Sequence, residues 1–140
     1  MYSLGGYIVM GVSIEKYRKI QNRNIVKFKV IESFSGPGGM SLGLSYAGFE
    51  LLFAFDSDKK SVETHNYNLG NKCVQENVYN VKGKDILRKL NLKKGELDLF
   101  AGGPPCQGFS KQKKGAHLGD KRNQLILEYI RLIDEISPKF

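Results

Sequence analysis

One cysteine stands where a thiol could take part in chemistry. Cys106 lies in the segment Gly102-Gly-Pro-Pro-Cys-Gln-Gly-Phe-Ser110, directly after a short apolar run that predicts a strand. The two prolines fix the backbone before the thiol, which would sit at the carboxyl end of that strand. A thiol held there could act as a nucleophile, and the alternative is a buried structural cysteine in a Pro-Gly turn.

A second pattern is a glycine turn followed by an acid. The segment Phe34-Ser-Gly-Pro-Gly-Gly39 joins an apolar run to a helix-like run, and glycines let the backbone approach a ligand at a helix amino end. Asp56 stands 20 positions after Gly36, where an acid can accept hydrogen bonds from ribose hydroxyls. The pattern predicts an adenosine cofactor, with a nicotinamide dinucleotide and S-adenosylmethionine as the alternatives.

The other reactive side chains predict no further site. With two cysteines, two histidines and no Cys-X-X-Cys pair, the chain has neither the ligand pattern of a zinc centre nor a dithiol redox pair. We interpret His65 and His117 as surface or helix residues and Cys73 as a core residue. Asp58 is interpreted as a helix-start residue.

Strand-like and helix-like segments alternate along the chain and must position these residues. The predicted strands lie at residues 26–34, 50–55, 72–78 and 97–101. The predicted helices lie at residues 40–47, 57–68, 83–91 and from 123 to a stop at Pro138. This alternation predicts an α/β fold with a mostly parallel, doubly wound sheet. Both glycine-rich segments then fall at the carboxyl ends of strands, where such sheets bind ligands.

Composition limits the class of protein. The chain of 140 residues has 22 Lys and Arg against 14 Asp and Glu, a net charge of +8, which suggests an anionic partner such as nucleic acid, with a merely basic surface as the alternative. Two cysteines cannot form a disulfide framework, so we expect reduced thiols and a cytoplasmic protein. The apolar stretch from Tyr7 to Val12 is too short to cross a membrane. We expect an extension at residues 1–25 and one domain at 26–140.

Together, Phe34-Ser-Gly-Pro-Gly-Gly39 and Gly103-Pro-Pro-Cys-Gln-Gly-Phe-Ser110 resemble the amino-terminal half of the cytosine-5 DNA methyltransferase family. The resemblance covers about residues 28–140, with the segments in the same order and at the same spacing. It implies the Rossmann-like fold of methyltransferases that use S-adenosylmethionine as their cofactor. The sheet would be incomplete, because the family's Glu-Asn-Val motif normally follows and Phe140 would begin the next strand.

The resemblance also implies site residues. Cys106 matches the nucleophile, whose thiolate adds to carbon 6 of a flipped-out cytosine so that carbon 5 can take the methyl group. Asn77 stands where the family has an acid facing the adenine amino group. The cofactor-binding residues would be Phe34, Gly36, Gly38, Gly39, Asp56, Asn77, Val78, Pro104 and Leu125. The predicted nucleic-acid-binding residues are Gln107, Ser110, Lys111, Lys113, Lys114 and Arg122. The lysines and Arg122 belong to a basic loop beside Cys106, for which a solvated loop is the alternative.

The expected partner is double-stranded DNA in a bacterial restriction-modification system. The chain lacks the family's Glu-Asn-Val motif, arginine motif and target recognition region, so we expect it to be inactive alone. A truncated sequence, one subunit of a split enzyme with a second chain, and a decayed gene are the three explanations. The alternative functions are an RNA cytosine-5 methyltransferase, a nicotinamide-dependent oxidoreductase and an inactive nucleic-acid-binding remnant.

Overall fold

A parallel sheet forms the centre of the computed structural model, which describes residues 27–105 and 121–140, with side chains from Gln124 onward in the second range. Its four strands in the described residues are β1 (Phe28–Ser33), β2 (Phe49–Asp56), β3 (Cys73–Gln75) and β4 (Leu99–Gly102). They lie in the order β3-β2-β1-β4, and each neighbouring pair is parallel. The predicted α/β fold with a mostly parallel sheet is therefore confirmed. The division at residue 25 remains a prediction.

Helices connect the strands. They are α1 (Gly39–Tyr46), α2 (Lys59–Leu69), α3 (Gly83–Lys89) and α4 (Lys121–Ile136), and a single 3-10 turn spans Val78–Asn80. All four predicted helices are present, with ends that differ by a few residues. None of the helices in the described ranges is long and apolar enough to cross a membrane.

Local chemistry explains where the elements end. β1 stops before Phe34 because this residue has a φ of 51°, in the left-handed region. β3 is shorter than the predicted strand at 72–78, because the Asn77 side chain accepts a hydrogen bond from the Tyr79 N–H and starts the 3-10 turn. Asp58 caps α2 by accepting from the Ser61 N–H at 2.8 Å, as its interpretation as a helix-start residue requires.

The sheet has a buried cluster on each face. Ile31, Phe53 and Phe55 pack with residues of α3 and α4, whereas Val30 and Leu51 pack toward α2. Strand side chains alternate between faces, yet Leu51 and Phe53 lie in different clusters. The reason is a register irregularity between Val30 and Ile31, which pair with Leu51 and Phe53 and skip one residue of β2.

The last residues of the chain extend the sheet beside β4. The Phe140 N–H donates to the Asp98 carbonyl at 2.9 Å, and the Phe100 N–H donates to the Phe140 carbonyl at 3.0 Å. This alternation is the pattern of a parallel pair. Phe140 thus lies where the next strand of the sheet would begin.

Candidate cofactor site

The glycine turn is bound to the carboxyl end of β2. The Gly36 N–H donates to Asp56 Oδ2 at 2.8 Å, and the Asp58 N–H donates to Asp56 Oδ1 at 2.9 Å. The Ser35 N–H also donates to the Phe55 carbonyl at 3.2 Å. Each carboxylate oxygen of Asp56 thus has one backbone donor and keeps a further lone pair for another donor. The acid holds the turn in place and can still accept a ligand hydroxyl.

Gly38 is required by the way the turn enters α1. Its φ is +100°, and a Cβ there would lie 2.5 Å from Leu69 Cδ1 and 3.0 Å from His65 Cδ2. Only glycine adopts this conformation and leaves this space. Gly39 is the first residue of α1, so the turn delivers the positive end of a helix to the carboxyl edge of the sheet.

A cavity of about 120 Å³ opens at this edge. Five of the predicted cofactor-binding residues line it, from four different segments of the chain: Phe34, Asp56, Asn77, Val78 and Leu125. The remaining lining residues are Phe55, Ser57, Glu76, Tyr79 and Pro105. Aromatic and aliphatic walls with carboxylates at one side suit a ligand that has both a flat ring and hydroxyl groups.

One wall of the cavity follows β3. Asn77 Oδ1 accepts from the Tyr79 N–H at 3.2 Å, and the Asn77 N–H donates to Glu76 Oε1 at 2.9 Å. The same Glu76 oxygen accepts from Asn80 Nδ2 at 3.1 Å. The wall is therefore braced by its own side chains. The Asn77 amide group lies at the surface with a second lone pair on its oxygen and two N–H donors.

The segment after β4 reaches the cavity through a proline. Pro105 lines the cavity, whereas Pro104, the proline predicted from the sequence, is partly buried beside it. Cys106 follows Pro105 directly in the chain. Cys106 and His117 lie outside the described residues, as do five predicted nucleic-acid contacts: Gln107, Ser110, Lys111, Lys113 and Lys114. Arg122 lies in α4, where its side chain is not described.

The sequence reasoning missed several site residues that a closer use of topology could have found. Ser57 and Glu76 each come directly after a strand of the sheet, and residues in that position share the carboxyl edge with Asp56.

Cys73 is buried, as predicted, with its thiol 3.2 Å from the Ser35 hydroxyl. Burial raises the pKa of this thiol, so it is suited to a structural role.

The structure also qualifies the interpretation of His65. It lies in α2, as expected, but its side chain is completely buried. Burial lowers its pKa, so the imidazole is neutral at physiological pH. Within the described residues, no group of three or more His, Cys, Asp or Glu side chains is placed to hold a metal ion.

A parallel sheet, a glycine turn held by an acid and a cavity at the carboxyl edge define a Rossmann-like ligand-binding domain. The chain belongs to the C-5 cytosine-specific DNA methylase family, which it matches over residues 28–140. The resemblance recognised in the two motifs is therefore confirmed.

Individual relatives agree with this assignment. Type II methyltransferase M.XorII of Xanthomonas oryzae pv. oryzae is 42% identical over 112 residues, which are 79% of this chain and 26% of that protein. M.AquIA of Picosynechococcus is 37% identical over 112 residues, 79% of this chain and 45% of that protein. The chain thus spans between about a quarter and just under half of the length of these relatives.

Solved structures support the fold. A crystal structure described as that of a prophage-encoded DNA modification methyltransferase from E. coli has a TM-score of 0.66 and 37% sequence identity, over 80% of this chain and 30% of that one. The S. pombe Dnmt2 methyltransferase has a TM-score of 0.57 over 79% of this chain, at 24% identity.

Proposed function

We propose that this chain forms the cofactor-binding part of a DNA cytosine-5 methyltransferase of a type II restriction-modification system. One observation carries the proposal: the family match over residues 28–140 coincides with a cavity lined by five residues predicted to bind the cofactor. The relatives named above are type II methyltransferases, which supports the modification role. The activity would require the parts of those proteins that this chain does not span.

In this proposal S-adenosylmethionine occupies the cavity at the carboxyl edge. Asp56 would accept hydrogen bonds from the ribose hydroxyls, using the lone pairs that the backbone leaves open. Asn77 would face the adenine ring, and Phe34, Val78 and Leu125 would pack against it. The glycine turn would lie beside the methionine end. Bound there, the cofactor would supply an electrophilic methyl group.

Cys106 would be the catalytic nucleophile. Its thiolate would add to carbon 6 of the target cytosine, which makes carbon 5 nucleophilic enough to accept the methyl group. Loss of the carbon 5 proton and elimination of the thiolate would restore the aromatic ring. The target base would have to leave the duplex, and Lys111, Lys113, Lys114 and Arg122 would contact DNA phosphates.

Cofactor choice can be tested on the chain itself. The glycine turn and Asp56 alone would accommodate either cofactor, but membership of the methylase family favours S-adenosylmethionine. We therefore expect S-adenosylmethionine, but not NAD, to raise the melting temperature. Asp56→Ala should abolish the shift. Glu63→Gln, at an exposed α2 position that pairs only loosely with Lys59 at 3.8 Å, is the matched control and should retain it. A shift with NAD alone would support an oxidoreductase instead.

The nucleophile can be tested in a chimera. Residues 28–140 would replace the matching segment of the Xanthomonas relative, and the chimera would be incubated with DNA containing 5-fluorocytosine. Because fluorine at carbon 5 cannot leave as a proton does, a covalent adduct should accumulate. Cys106→Ser should abolish the adduct, and Cys73→Ser, the other cysteine of the chain, should not. Normal methylation by the Cys106→Ser chimera would contradict the assignment.

A further inference from the structure

Three buried side chains form a hydrogen-bonded chain behind the glycine turn. Ser41 Oγ donates to Glu32 Oε2, and Ser41 Oγ lies 2.9 Å from His65 Nε2. Glu32 belongs to β1, Ser41 to the first turn of α1 and His65 to α2, and each is at most 1% exposed. We call these three residues the clasp. Neither the cavity nor the proposed chemistry includes them.

The direction of the hydrogen bonds fixes the state of the histidine. When Glu32 is ionised, Ser41 gives its one proton to this carboxylate, so the Ser41 oxygen accepts from His65 Nε2. His65 is then the neutral tautomer with its proton on Nε2. Its Nδ1 is buried without a hydrogen-bond partner among the described residues.

The clasp closes the base of the turn. Glu32 lies near the end of β1, just before the glycine turn, and Ser41 lies in α1, just after it. Their hydrogen bond therefore joins the two ends of the turn. His65 packs against the turn itself, since its Cδ2 would lie 3.0 Å from a Cβ on Gly38. A shift of Ser41 or His65 would therefore move Gly38 and the amino end of α1.

We propose that Glu32, Ser41 and His65 are positioning residues that hold the glycine turn in its cofactor-binding conformation. The identity of the cofactor rests on the proposed function, whereas the effect on the turn does not. The acid and the hydroxyl are buried and do not line the cavity. They act through the backbone of the turn, which Asp56 holds from the other side through the Gly36 N–H.

The protonation of Glu32 makes the role measurable. Burial, and to a smaller extent the charge of Asp56, raises the pKa of Glu32 to about 7, although the bond from Ser41 lowers it. Asp56 in β2, Cys73 in β3 and His65 in α2 are the titratable groups that face it in the described structure. The segments β4 and Gly39–Ser45 of α1 contain no ionisable side chain.

Two properties should move in opposite directions with pH. The pKa of Glu32 is about 7 in the folded chain and lower in the unfolded chain. Between these two pKa values the unfolded chain loses the proton more readily than the folded chain does, so the folded state becomes less stable as the pH rises. Ionised Glu32, however, binds the Ser41 hydroxyl by a charge-assisted bond and favours a cationic ligand over the turn. Glu32 should therefore make the fold less stable above neutral pH than at pH values below its unfolded pKa, whereas the turn should be held more firmly above neutral pH.

The test combines two readouts on the whole chain. In the absence of ligand, the amide NMR signals of Gly36, Gly38 and Gly39 should titrate with a midpoint near 7. With S-adenosylmethionine, affinity should rise roughly fivefold between about pH 6 and pH 8, the factor that corresponds to the charge assistance of one hydrogen bond. Glu32→Gln, which keeps an acceptor for Ser41, should remove both pH effects and leave the chain folded.

Ser41→Ala should speed hydrogen exchange of these glycine amides and weaken cofactor affinity at every pH. Ser45→Ala is the matched control: Ser45 is a buried serine of the same helix whose hydroxyl donates only within α1, to the Leu42 carbonyl at 2.7 Å. Glycine signals that do not titrate, or that titrate unchanged in Glu32→Gln, would overturn the proposal. Titrating signals without any binding of S-adenosylmethionine would instead overturn the proposed function and leave the clasp in place.

Discussion

At the scale of single residues, the position of Gly38 has no room for a side chain. Alanine at this position would adopt a φ of +100° and place its Cβ against Leu69 Cδ1 and His65 Cδ2. Backbone strain and overpacking together should cost about 2–4 kcal/mol of unfolding free energy. Urea denaturation followed by circular dichroism would measure the loss.

Gly43 of α1 supplies the control for this prediction. It is exposed, and a Cβ there would have nothing within 4 Å, so Gly43→Ala should stabilise the chain by about 0.5–1 kcal/mol through helix propensity. Equal effects of the two substitutions would show that the turn relaxes, and would contradict the steric account of Gly38.

The sequence predicted those site residues that can be found from their position along the chain, but not those that are defined by their contacts in the folded structure. Asp56 could be placed from its position at the end of a strand, because parallel strands share one carboxyl edge. Asn77 and Val78 were placed only through the resemblance to the family. The clasp could not be found in this way. Glu32 lies inside β1, and only the packing of α1 and α2 onto that strand shows which hydroxyl and which imidazole compensate for its burial.

Arg131 of α4 binds residues that are distant in sequence, so its loss should weaken the packing of this helix and destabilise the fold. The guanidinium donates to the Val78 and Val81 carbonyls at 3.1 and 2.9 Å, and it binds Glu128 and Glu135 at 2.7 Å each. Arg131→Ala would leave these acceptors unpaired and should cost about 2–3 kcal/mol in unfolding free energy, measured in urea.

Arg88 is the matched control for Arg131. It forms a single ion pair with Asp85 at 3.1 Å, and its side chain is 82% exposed, so Arg88→Ala should change stability by less than about 0.5 kcal/mol. Arg131→Lys should not restore stability, because one ammonium cannot reproduce the fork of donors. Full restoration by lysine would mean that charge alone matters there.

The boundaries of elements were the part of the fold that sequence periodicity could not supply. Periodicity located each strand and helix, but side-chain hydrogen bonds decided where several of them end. β3 shows this: it ends at Gln75 rather than at residue 78, because the Asn77 side chain starts the 3-10 turn. At α3 the predicted start at Gly83 is correct, but the sequence did not predict its cap, in which the Gly83 N–H donates to Glu135 Oε2 of α4 at 2.6 Å. Local patterns contain no information about such a partner.

Three large apolar side chains near the end of the chain are exposed. Phe140 is 85% exposed beside β4, and Leu127 and Ile130 of α4 are 63% and 52% exposed. Asp98 holds this corner together by accepting from the Lys29 N–H and from Lys139 Nζ, and these bonds lower its pKa. The corner should therefore loosen at acidic pH, as Asp98 becomes protonated.

Cofactor binding and catalysis should separate at this scale. The described residues assemble a cavity from the glycine turn, the ends of β2 and β3, and α4, so the chain should bind S-adenosylmethionine measurably in calorimetry. It spans only 26% to 45% of the two relatives compared above, and the proposed activity would require the parts of those proteins that this chain does not span. We therefore expect no transfer of tritiated methyl groups to DNA by the purified chain, at any DNA concentration. Transfer without an added partner would show that the 140 residues contain a complete active site, and would contradict the division of roles proposed for this chain.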